Sequence, residues 1–283
     1  MHDILISILL GIIEGITEFL PVSSTAHLRI SQALLHLPLD DRFWKMYAVV
    51  IQLGAVLCLP TYFWGRIMNF LKTFGRGERP WYLHPITLVI LAFFCTAIPA
   101  LILKKLISHN LENLRVMGLS LIIGGAVMWV ADIVFSKPRT LEMERMGIVQ
   151  AAWIGLVQTL AAIFPGTSRS MATIAAGQSA GLSRAAALEF SFFLSMPTMA
   201  AACLFDLKDT LKPSEGVAGS PLVMTGQQWV VLGVGFVVSY IVALGVVAWF
   251  MHWVRRHGFV PFAIYRLVMG AAVLLALQSG WLT

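Results

Sequence analysis

Gly11-Ile-Ile-Glu-Gly-Ile-Thr-Glu-Phe-Leu-Pro-Val-Ser-Ser-Thr-Ala-His27 is the stretch that decides the fold, because two carboxylates, a proline, three hydroxyls and an imidazole interrupt an apolar run. Glu14 and Glu18 are four residues apart, so in a helix they lie on the same face, about one turn from each other. A helix over residues 4–20 is about 25 Å long, shorter than the roughly 30 Å hydrocarbon core of a bilayer, and Pro21 ends it. The pattern predicts a re-entrant helix whose two carboxylates face one cavity.

The three consecutive hydroxyls behind the proline, Ser23, Ser24 and Thr25, are expected to begin a second helix. The first N–H groups of a helix have no partner within it, and they attract anions, phosphate in particular. The hydroxyls could instead only cap this helix, but capping does not prevent the same groups from binding phosphate. His27 follows two residues later, and beside these hydroxyls we interpret it as functional rather than as a structural core histidine.

A related stretch follows 144 residues later and reads Gly155-Leu-Val-Gln-Thr-Leu-Ala-Ala-Ile-Phe-Pro-Gly-Thr-Ser-Arg-Ser170. Aligning the prolines places Ser24 on Ser168 and Thr25 on Arg169. The first copy therefore brings the acids and the second brings an arginine, whose planar fork binds phosphate oxygens in a bidentate way. Two carboxylates beside such an arginine also predict a divalent cation, Mg²⁺ or Ca²⁺, because these ions bind carboxylate and phosphate oxygens together.

The composition excludes an ordinary soluble domain, because 58% of the residues are hydrophobic, only 12% are charged and the mean hydropathy is +0.82. The net charge of +6 does not indicate nucleic-acid binding, because the basic residues are spread over loops between apolar segments. The three cysteines lie far apart in apolar segments, so neither a disulfide nor a zinc site is expected. The N-terminal run lacks the features of a cleaved signal peptide.

The hydropathy predicts an all-α polytopic membrane protein with six transmembrane helices and two re-entrant helical hairpins in an inverted repeat. We interpret residues 1–283 as one membrane domain, with repeat halves 1–135 and 148–283 joined by the linker 136–147. The predicted spans are Trp44–Trp64, Pro85–Leu103, Val116–Phe135, Ala185–Phe205, Gln228–Trp249 and Phe259–Gln278, and the hairpin arms are Ile4–Leu20 with Ser24–Leu35 and Ile148–Phe164 with Ser168–Gly181.

The distribution of charge predicts the orientation. In this topology the face that includes residues 66–84 and 136–147 carries ten basic and three acidic residues, and the opposite face carries seven of each. The positive-inside rule makes the first face cytoplasmic and leaves residues 206–227 and both termini outside. Seven charged residues are expected at membrane depth; Glu14, Glu18 and Arg169 are interpreted as functional, and structural ion pairing or snorkelling is expected for Arg29, Asp132, Glu189 and Arg266.

The motifs Glu14-Gly-x-Thr-Glu18-Phe-Leu-Pro-Val-Ser-Ser-Thr-x-His27 and Pro165-Gly-x-Ser-Arg169-Ser170 resemble the two signatures of the bacterial undecaprenyl-diphosphate phosphatases, also called bacitracin-resistance proteins. The resemblance extends to Val-Val-Ile-Gln-Leu-Gly at 49–54, Glu-Phe-Ser-Phe at 189–192 and Pro-Phe-Ala-Ile-Tyr-Arg at 261–266. Two positions depart from the pattern of that family, Ala26 before the histidine and Met171 after Ser-Arg-Ser, and a larger side chain at each could narrow the phosphate pocket.

The resemblance implies hydrolysis of undecaprenyl diphosphate to undecaprenyl phosphate and inorganic phosphate, which recycles the lipid carrier of peptidoglycan synthesis and confers bacitracin resistance. It implies a multi-pass enzyme of the bacterial inner membrane whose site faces the periplasmic side. It also implies a divalent cation held by Glu14 and Glu18. The other residues implied in the site are Ser24 as nucleophile or as ligand beside a metal-activated water, His27 for proton transfer, Arg169, and a diphosphate cradle of Ser23, Thr25, Ser168, Ser170 and Thr173.

The expected partners are a polyprenyl diphosphate lipid and membrane lipids, without nucleic acid; a homodimer is left open. Two other classes also remain open. A lipid-phosphate flippase or anion transporter would use the same inverted repeat with broken helices, and a non-catalytic lipid-binding protein would need only the anion site. Acids, hydroxyls, a histidine and an arginine that converge on one anion site favour phosphoryl chemistry over both.

Overall fold

The computed structural model describes residues 2–38, 41–76, 79–110, 113–211 and 224–280, and side chains throughout these ranges except at 209–211. Within them the chain is helical, and the only β pairing is an isolated bridge between Thr140 and Leu182. The helices in chain order are α1 His2–Thr17, α2 Ser24–Leu34, α3 Arg42–Tyr62, α4 Trp64–Thr73, α5 Pro85–Ile102, α6 Lys104–Asn110, α7 Leu114–Val134, α8 Ile148–Ile163, α9 Arg169–Ser179, α10 Arg184–Leu211, α11 Gly226–Trp253 and α12 Val260–Gln278.

Six of these helices are long and apolar enough to cross a bilayer, which confirms the predicted all-α membrane protein. They are α3, α5, α7, residues Arg184–Lys208 of α10, α11 and α12. Each predicted span coincides with one of them to within a few residues at most ends. Large apolar side chains such as Ile102, Val134 and Leu275 are exposed on their outer surfaces, as expected for helices that contact lipid tails.

Two pairs of shorter helices match each other in length. Helices α1 and α8 have 16 residues each, and α2 and α9 have 11 residues each. Sixteen residues make a helix of about 24 Å, too short for a bilayer core of about 30 Å. The equal lengths agree with a duplicated hairpin. That each hairpin dips into the membrane and returns to its own side stays a prediction, as does the division into two repeat halves.

Three segments are more helical than the sequence predicts. The chain continues after α3 into α4, so the loop expected after the first span begins with a helix. Within α4, Phe70 is buried, whereas Trp64 and Leu71 are exposed. Helix α6 occupies much of the loop expected after α5. Helix α10 extends six residues past the predicted end of its span, and residues 212–223 of the polar loop that follows lie outside the described residues. Hydropathy detects the apolar spans, but not helices that continue beyond them.

The short helices pack closely on full-length spans through small residues. A Cβ at Gly15 of α1 would lie 2.7 Å from Val242 Cβ of α11, and one at Gly155 of α8 would lie 2.3 Å from the Ala92 carbonyl oxygen of α5. Without side chains at these two positions, the backbones approach closely, as is common between membrane helices. The first hairpin thereby rests on α11 and the second on α5.

The polar segments gather at two ends of the bundle. At one end, Arg66 of α4 lies 2.5 Å from a Glu144 carboxylate oxygen and 2.6 Å from one of Glu189. Burial lowers the pKa of the Arg66 guanidinium, but these carboxylates outweigh it and raise the pKa above its usual value. At the other end, Gln227 donates a 3.1 Å hydrogen bond to Asp3. The segments predicted to be cytoplasmic thus meet at one end, and the N-terminal segment meets residue 227 at the other.

Two acids expected at membrane depth, Asp132 and Glu189, form the structural ion pairs that the sequence predicts. Asp132 of α7 accepts a 2.6 Å hydrogen bond from Arg184 Nε and a 2.9 Å bond from the Phe259 N–H. Glu189 of α10 accepts two bonds from Arg66. Both acids are therefore explained by the fold and are not needed for chemistry.

Candidate active site

Both helix breaks have the same unusual backbone conformation. Ser23 precedes α2 with φ 75°, and Ser168 precedes α9 with φ 66°. Positive φ is uncommon for residues other than glycine and costs on the order of 1 kcal/mol or more, so it persists only where surrounding contacts impose it. Strain of this kind often marks functional sites. Its presence at both breaks identifies them as corresponding parts of the molecule.

This correspondence corrects the predicted register by one residue. The alignment on prolines places Ser24 on Ser168, whereas the structure pairs Ser23 with Ser168 as the residue before each second helix. One residue, Val22, stands between Pro21 and Ser23, whereas two, Gly166 and Thr167, stand between Pro165 and Ser168, so an alignment on the prolines is displaced by one residue at the second helices. Ser24 and Arg169 consequently occupy the same position, the first residue of α2 and of α9.

Glu18 joins these two residues. The Ser24 hydroxyl donates a 2.5 Å hydrogen bond to Glu18 Oε2, and Arg169 Nη2 donates a 3.2 Å bond to Glu18 Oε1. The side chains of Arg169 and Glu18 are only 12% and 3% exposed, so water screens this pair little. The carboxylate thus contacts both a potential nucleophile and a phosphate-binding cation, and it joins the first break to Arg169, which lies 151 residues further along the sequence.

Glu14 lies one turn earlier in α1 and has no such partner. Its side chain is fully buried, and neither carboxylate oxygen has a hydrogen-bond donor among the described residues. The Nε and Nη1 atoms of Arg169 are also buried without an acceptor there. A bound cation would stabilise the ionised form of this acid, and a bound anion would satisfy the two free nitrogens of the arginine.

The donor set fits a divalent cation bound together with phosphate. The described residues contain no group of three or more His, Cys, Asp or Glu side chains able to hold a metal. Magnesium in phosphoryl-transfer sites needs fewer, since one or two carboxylates hold it while substrate phosphate and water complete the shell. The open Glu14 carboxylate and the neighbouring Glu18 supply this number of ligands. The predicted cation therefore stays a proposal that the unpartnered acid favours.

His27 lies beside the first break with both ring nitrogens occupied. Nδ1 lies 2.7 Å from the Ser23 carbonyl oxygen, and Nε2 lies 2.6 Å from the Tyr265 hydroxyl of α12. A carbonyl can only accept, so Nδ1 carries the proton and Nε2 of the neutral ring accepts from the tyrosine. The two rings also stack, with centroids 5.6 Å apart. The Ser23 carbonyl thus fixes the tautomer of the imidazole, and Tyr265 helps to fix its orientation.

The predicted diphosphate-binding hydroxyls divide into different environments. Ser170 donates a 3.0 Å bond to the Leu20 carbonyl and lies 3.0 Å from the Ser168 hydroxyl, so these two serines link the second break to the first. The Thr173 hydroxyl lies 2.6 Å from the Ser191 hydroxyl of α10 and is fully buried. Ser23 is buried, whereas Thr25 is exposed. The structure thus brings the serines of both breaks together and places the Thr173 hydroxyl against α10.

Three residues outside the predicted set adjoin the site. Tyr265 contacts His27, Ser191 contacts Thr173, and Arg266 donates hydrogen bonds to backbone carbonyls of both breaks. The expected ion pair of Arg266 is wrong, since its acceptors in the described structure are neutral carbonyls. These residues fall in two of the segments that carry the resemblance, 189–192 and 261–266, and Arg266 was also marked by its charge at membrane depth.

Comparison with known proteins identifies the family. The family model described as "Bacitracin resistance protein BacA" matches residues 7–272. The "Undecaprenyl-diphosphatase" of Koribacter versatilis (strain Ellin345) is 57% identical over 280 residues, which cover 97% of this chain and 98% of that protein. The protein of that name in Bradyrhizobium sp. (strain ORS 278) is 40% identical, with 99% of each chain covered. "Undecaprenyl-diphosphatase 1" of Streptomyces avermitilis is 38% identical, covering 98% of this chain and 97% of that protein. This chain belongs to the BacA family of bacitracin resistance proteins.

Proposed function

We propose that this membrane protein hydrolyses undecaprenyl diphosphate to undecaprenyl phosphate and inorganic phosphate, and thereby recycles the carrier lipid of peptidoglycan synthesis. The observation that supports this most directly is that, among the described residues, Glu14 has no hydrogen-bond donor and two nitrogens of the nearby Arg169 have no acceptor. A divalent cation with a phosphate group satisfies both. The names of the full-length relatives agree with this chemistry.

The acids have different roles in this proposal. Glu14 and Glu18 would hold the cation, which when bound neutralises charge on the diphosphate and draws electrons from the phosphorus. Glu18 also accepts the Ser24 hydrogen bond, so it is placed to take the proton as the Ser24 oxygen attacks the terminal phosphorus. The anhydride P–O bond then breaks and undecaprenyl phosphate leaves. Water hydrolyses the phosphoserine and releases inorganic phosphate.

The remaining groups bind and orient. The unpartnered nitrogens of Arg169 stabilise charge on the phosphoryl oxygens as it grows in the transition state. The hydroxyls of Ser23, Thr25, Ser168, Ser170 and Thr173 are proposed as the cradle, in which Thr173 contributes mainly by fixing α9 against α10. Proton transfer with the leaving group is assigned to His27, whose Nε2 takes up and returns a proton on the side of the ring that faces the Tyr265 hydroxyl. A water activated directly by the cation remains the competing nucleophile.

We further propose that the protein resides in the bacterial inner membrane with the site open to the periplasmic side. The excess of basic residues at the end that holds Arg66 and the 136–147 linker supports a cytoplasmic location for that end. The polyprenyl chain of the substrate would remain among the lipid tails, in contact with the apolar helix surfaces, while only the diphosphate reaches the polar site.

Phosphate release by purified protein in detergent micelles tests the function. A micelle has no second compartment, so a flippase or transporter would release none. Ser24→Ala and Ser24→Cys then distinguish the nucleophiles. If Ser24 attacks, rapid quenching of wild type traps phosphoserine, the alanine variant loses at least about 10³-fold in kcat, and the cysteine variant retains part. A Ser24→Ala variant with activity close to wild type would assign the attack to water.

A further inference from the structure

Arg266 is a buried cation whose partners are neutral. Its side chain is fully inaccessible to solvent and lies on α12. Nη1 donates to the Pro21 carbonyl at 3.1 Å, and Nη2 donates to the Gly166 carbonyl at 2.9 Å and to the Ser120 carbonyl at 3.1 Å. The described residues provide no carboxylate within ion-pair distance. A buried charge without a counter-ion is costly, so stabilisation of the fold by itself explains this arrangement poorly.

The carbonyls that Arg266 binds are corresponding groups of the two breaks. Pro21 stands two residues before Ser23, and Gly166 stands two residues before Ser168, the two serines with left-handed backbone. One planar guanidinium therefore binds both breaks at the same point of each. The atoms that it fixes lie within three residues of Ser24 and Arg169, the two groups that meet on Glu18.

The neighbouring helix α7 leaves room for this guanidinium. A Cβ at Gly124 would lie 2.3 Å from Arg266 Nη2 and 2.7 Å from the Met171 Cε of α9. Any side chain at this position would push the guanidinium away from the carbonyls. Six residues earlier on the same helix, a Cβ at Gly118 would meet only the Leu274 and Val273 side chains of α12. The two glycines thus allow α7 to approach α12 in the same way, but only one of them gives space to the guanidinium.

We infer that Arg266 is a positioning residue that sets the separation of the two breaks, so that Ser24 and Arg169 reach the same carboxylate. It acts through backbone carbonyls and does not contact the substrate. The inference rests on the proposed phosphatase activity. A displacement of about 1 Å in a reacting group can cost about 100-fold in rate, so small movements of the breaks affect turnover strongly.

The test is steady-state kinetics of phosphate release in detergent, together with melting temperatures. For Arg266→Lys and Arg266→Gln we expect kcat to fall about 100-fold while KM changes less than about threefold, because the misplaced groups act on the transition state. The melting temperature of Arg266→Gln should change little, because the lost hydrogen bonds are offset by removal of an uncompensated buried charge. Each variant is assayed well below its own melting temperature.

Gly124→Ala displaces the guanidinium without changing it and keeps the test decisive if the Arg266 variants fail to fold. We expect it to lose at least about tenfold in kcat, whereas Gly118→Ala, the matched control in the same helix pair, retains wild-type kcat. Wild-type kcat in a folded Arg266→Gln or in Gly124→Ala would overturn the inference. Equal losses in Gly124→Ala and Gly118→Ala would also overturn it, since they would indicate general helix packing. Failure of wild type to release phosphate would instead refute the proposed function.

Discussion

Replacing Glu14 or Glu18 by glutamine gives the sharpest test of the site, because the structure predicts different effects of the two substitutions on stability. Glu18 is paired with Ser24 and Arg169, whereas Glu14 has no donor among the described residues. Both substitutions preserve size and remove one negative charge. In both variants we expect phosphate release to fall at least about 100-fold, because each loses a proposed cation ligand.

The two substitutions are expected to change the melting temperature by different amounts. Breaking a buried ion pair by removing one partner costs about 3–5 kcal/mol, which at about 2 °C per kcal/mol lowers the melting temperature of Glu18→Gln by about 6–10 °C. Glu14→Gln removes a buried acid that has no hydrogen-bond donor among the described residues, so the melting temperature of the chelated variant should be unchanged or about 2 °C higher. Glu14→Gln and Glu18→Gln thus serve as matched controls for each other, because the same substitution is made at positions one helical turn apart.

The cation is measured in the same thermal assay. At a concentration of 100 Kd, a ligand that binds only the folded state stabilises it by about 2.7 kcal/mol, a shift of about 5 °C for wild type with Mg²⁺ or Ca²⁺. Glu14→Gln should show no such shift. The reasoning is refuted if Glu14→Gln melts as far below chelated wild type as Glu18→Gln does, or if the Glu14→Gln, Glu18→Gln double variant keeps full activity after chelation.

Three further predictions concern single contacts and orientation. Arg169→Lys keeps the charge but loses the planar fork, so phosphate release should fall about 10²- to 10³-fold in kcat; near-normal kcat with a lowered melting temperature would make the arginine purely structural. Tyr265→Phe removes the donor to His27 Nε2, so the pH profile of kcat should shift while the melting temperature changes little. An unchanged pH profile would show that the contact between Tyr265 and His27 plays no part in proton transfer. Single cysteines at Gly75 or Leu141, on a background without the native cysteines, should resist an impermeant thiol reagent in intact cells, and labelling there would reverse the orientation.

The sequence predicts those parts of the fold that depend on hydropathy and on local breaks. Each apolar span is continuous over at least about 18 residues, so its existence follows from the thickness of the bilayer. Each break is predicted by a proline that follows a helix too short to span the bilayer. Helix α4 was missed because polar residues interrupt the apolar residues of its ten-residue sequence, so no apolar run marks it. Side-chain periodicity within the expected loops would have indicated it.

The site was predicted less completely, for reasons visible in two residues. Arg266 was expected to pair with an acid, because a sequence shows which side chains are charged. Its partners are instead the backbone carbonyls of Pro21, Ser120 and Gly166. Backbone carbonyls are the same at every position and leave no sequence signal. The register of the second break was wrong by one residue because prolines mark where a helix ends, whereas Ser23 and Ser168 mark where the next begins.

The four-residue spacing of Glu14 and Glu18 gave the two acids the same predicted role, and in the structure the Glu18 N–H, just past the end of α1, donates a 2.9 Å bond to the Glu14 carbonyl. The difference arises from the second hairpin. Arg169 and Ser24 approach Glu18 from the first positions of α9 and α2, and no described residue donates to Glu14 one turn below. A single helix therefore presents one carboxylate that is held in place and one that is open. In the proposed mechanism Glu18 therefore orients the nucleophile as well as holding the cation, whereas Glu14 serves the cation alone.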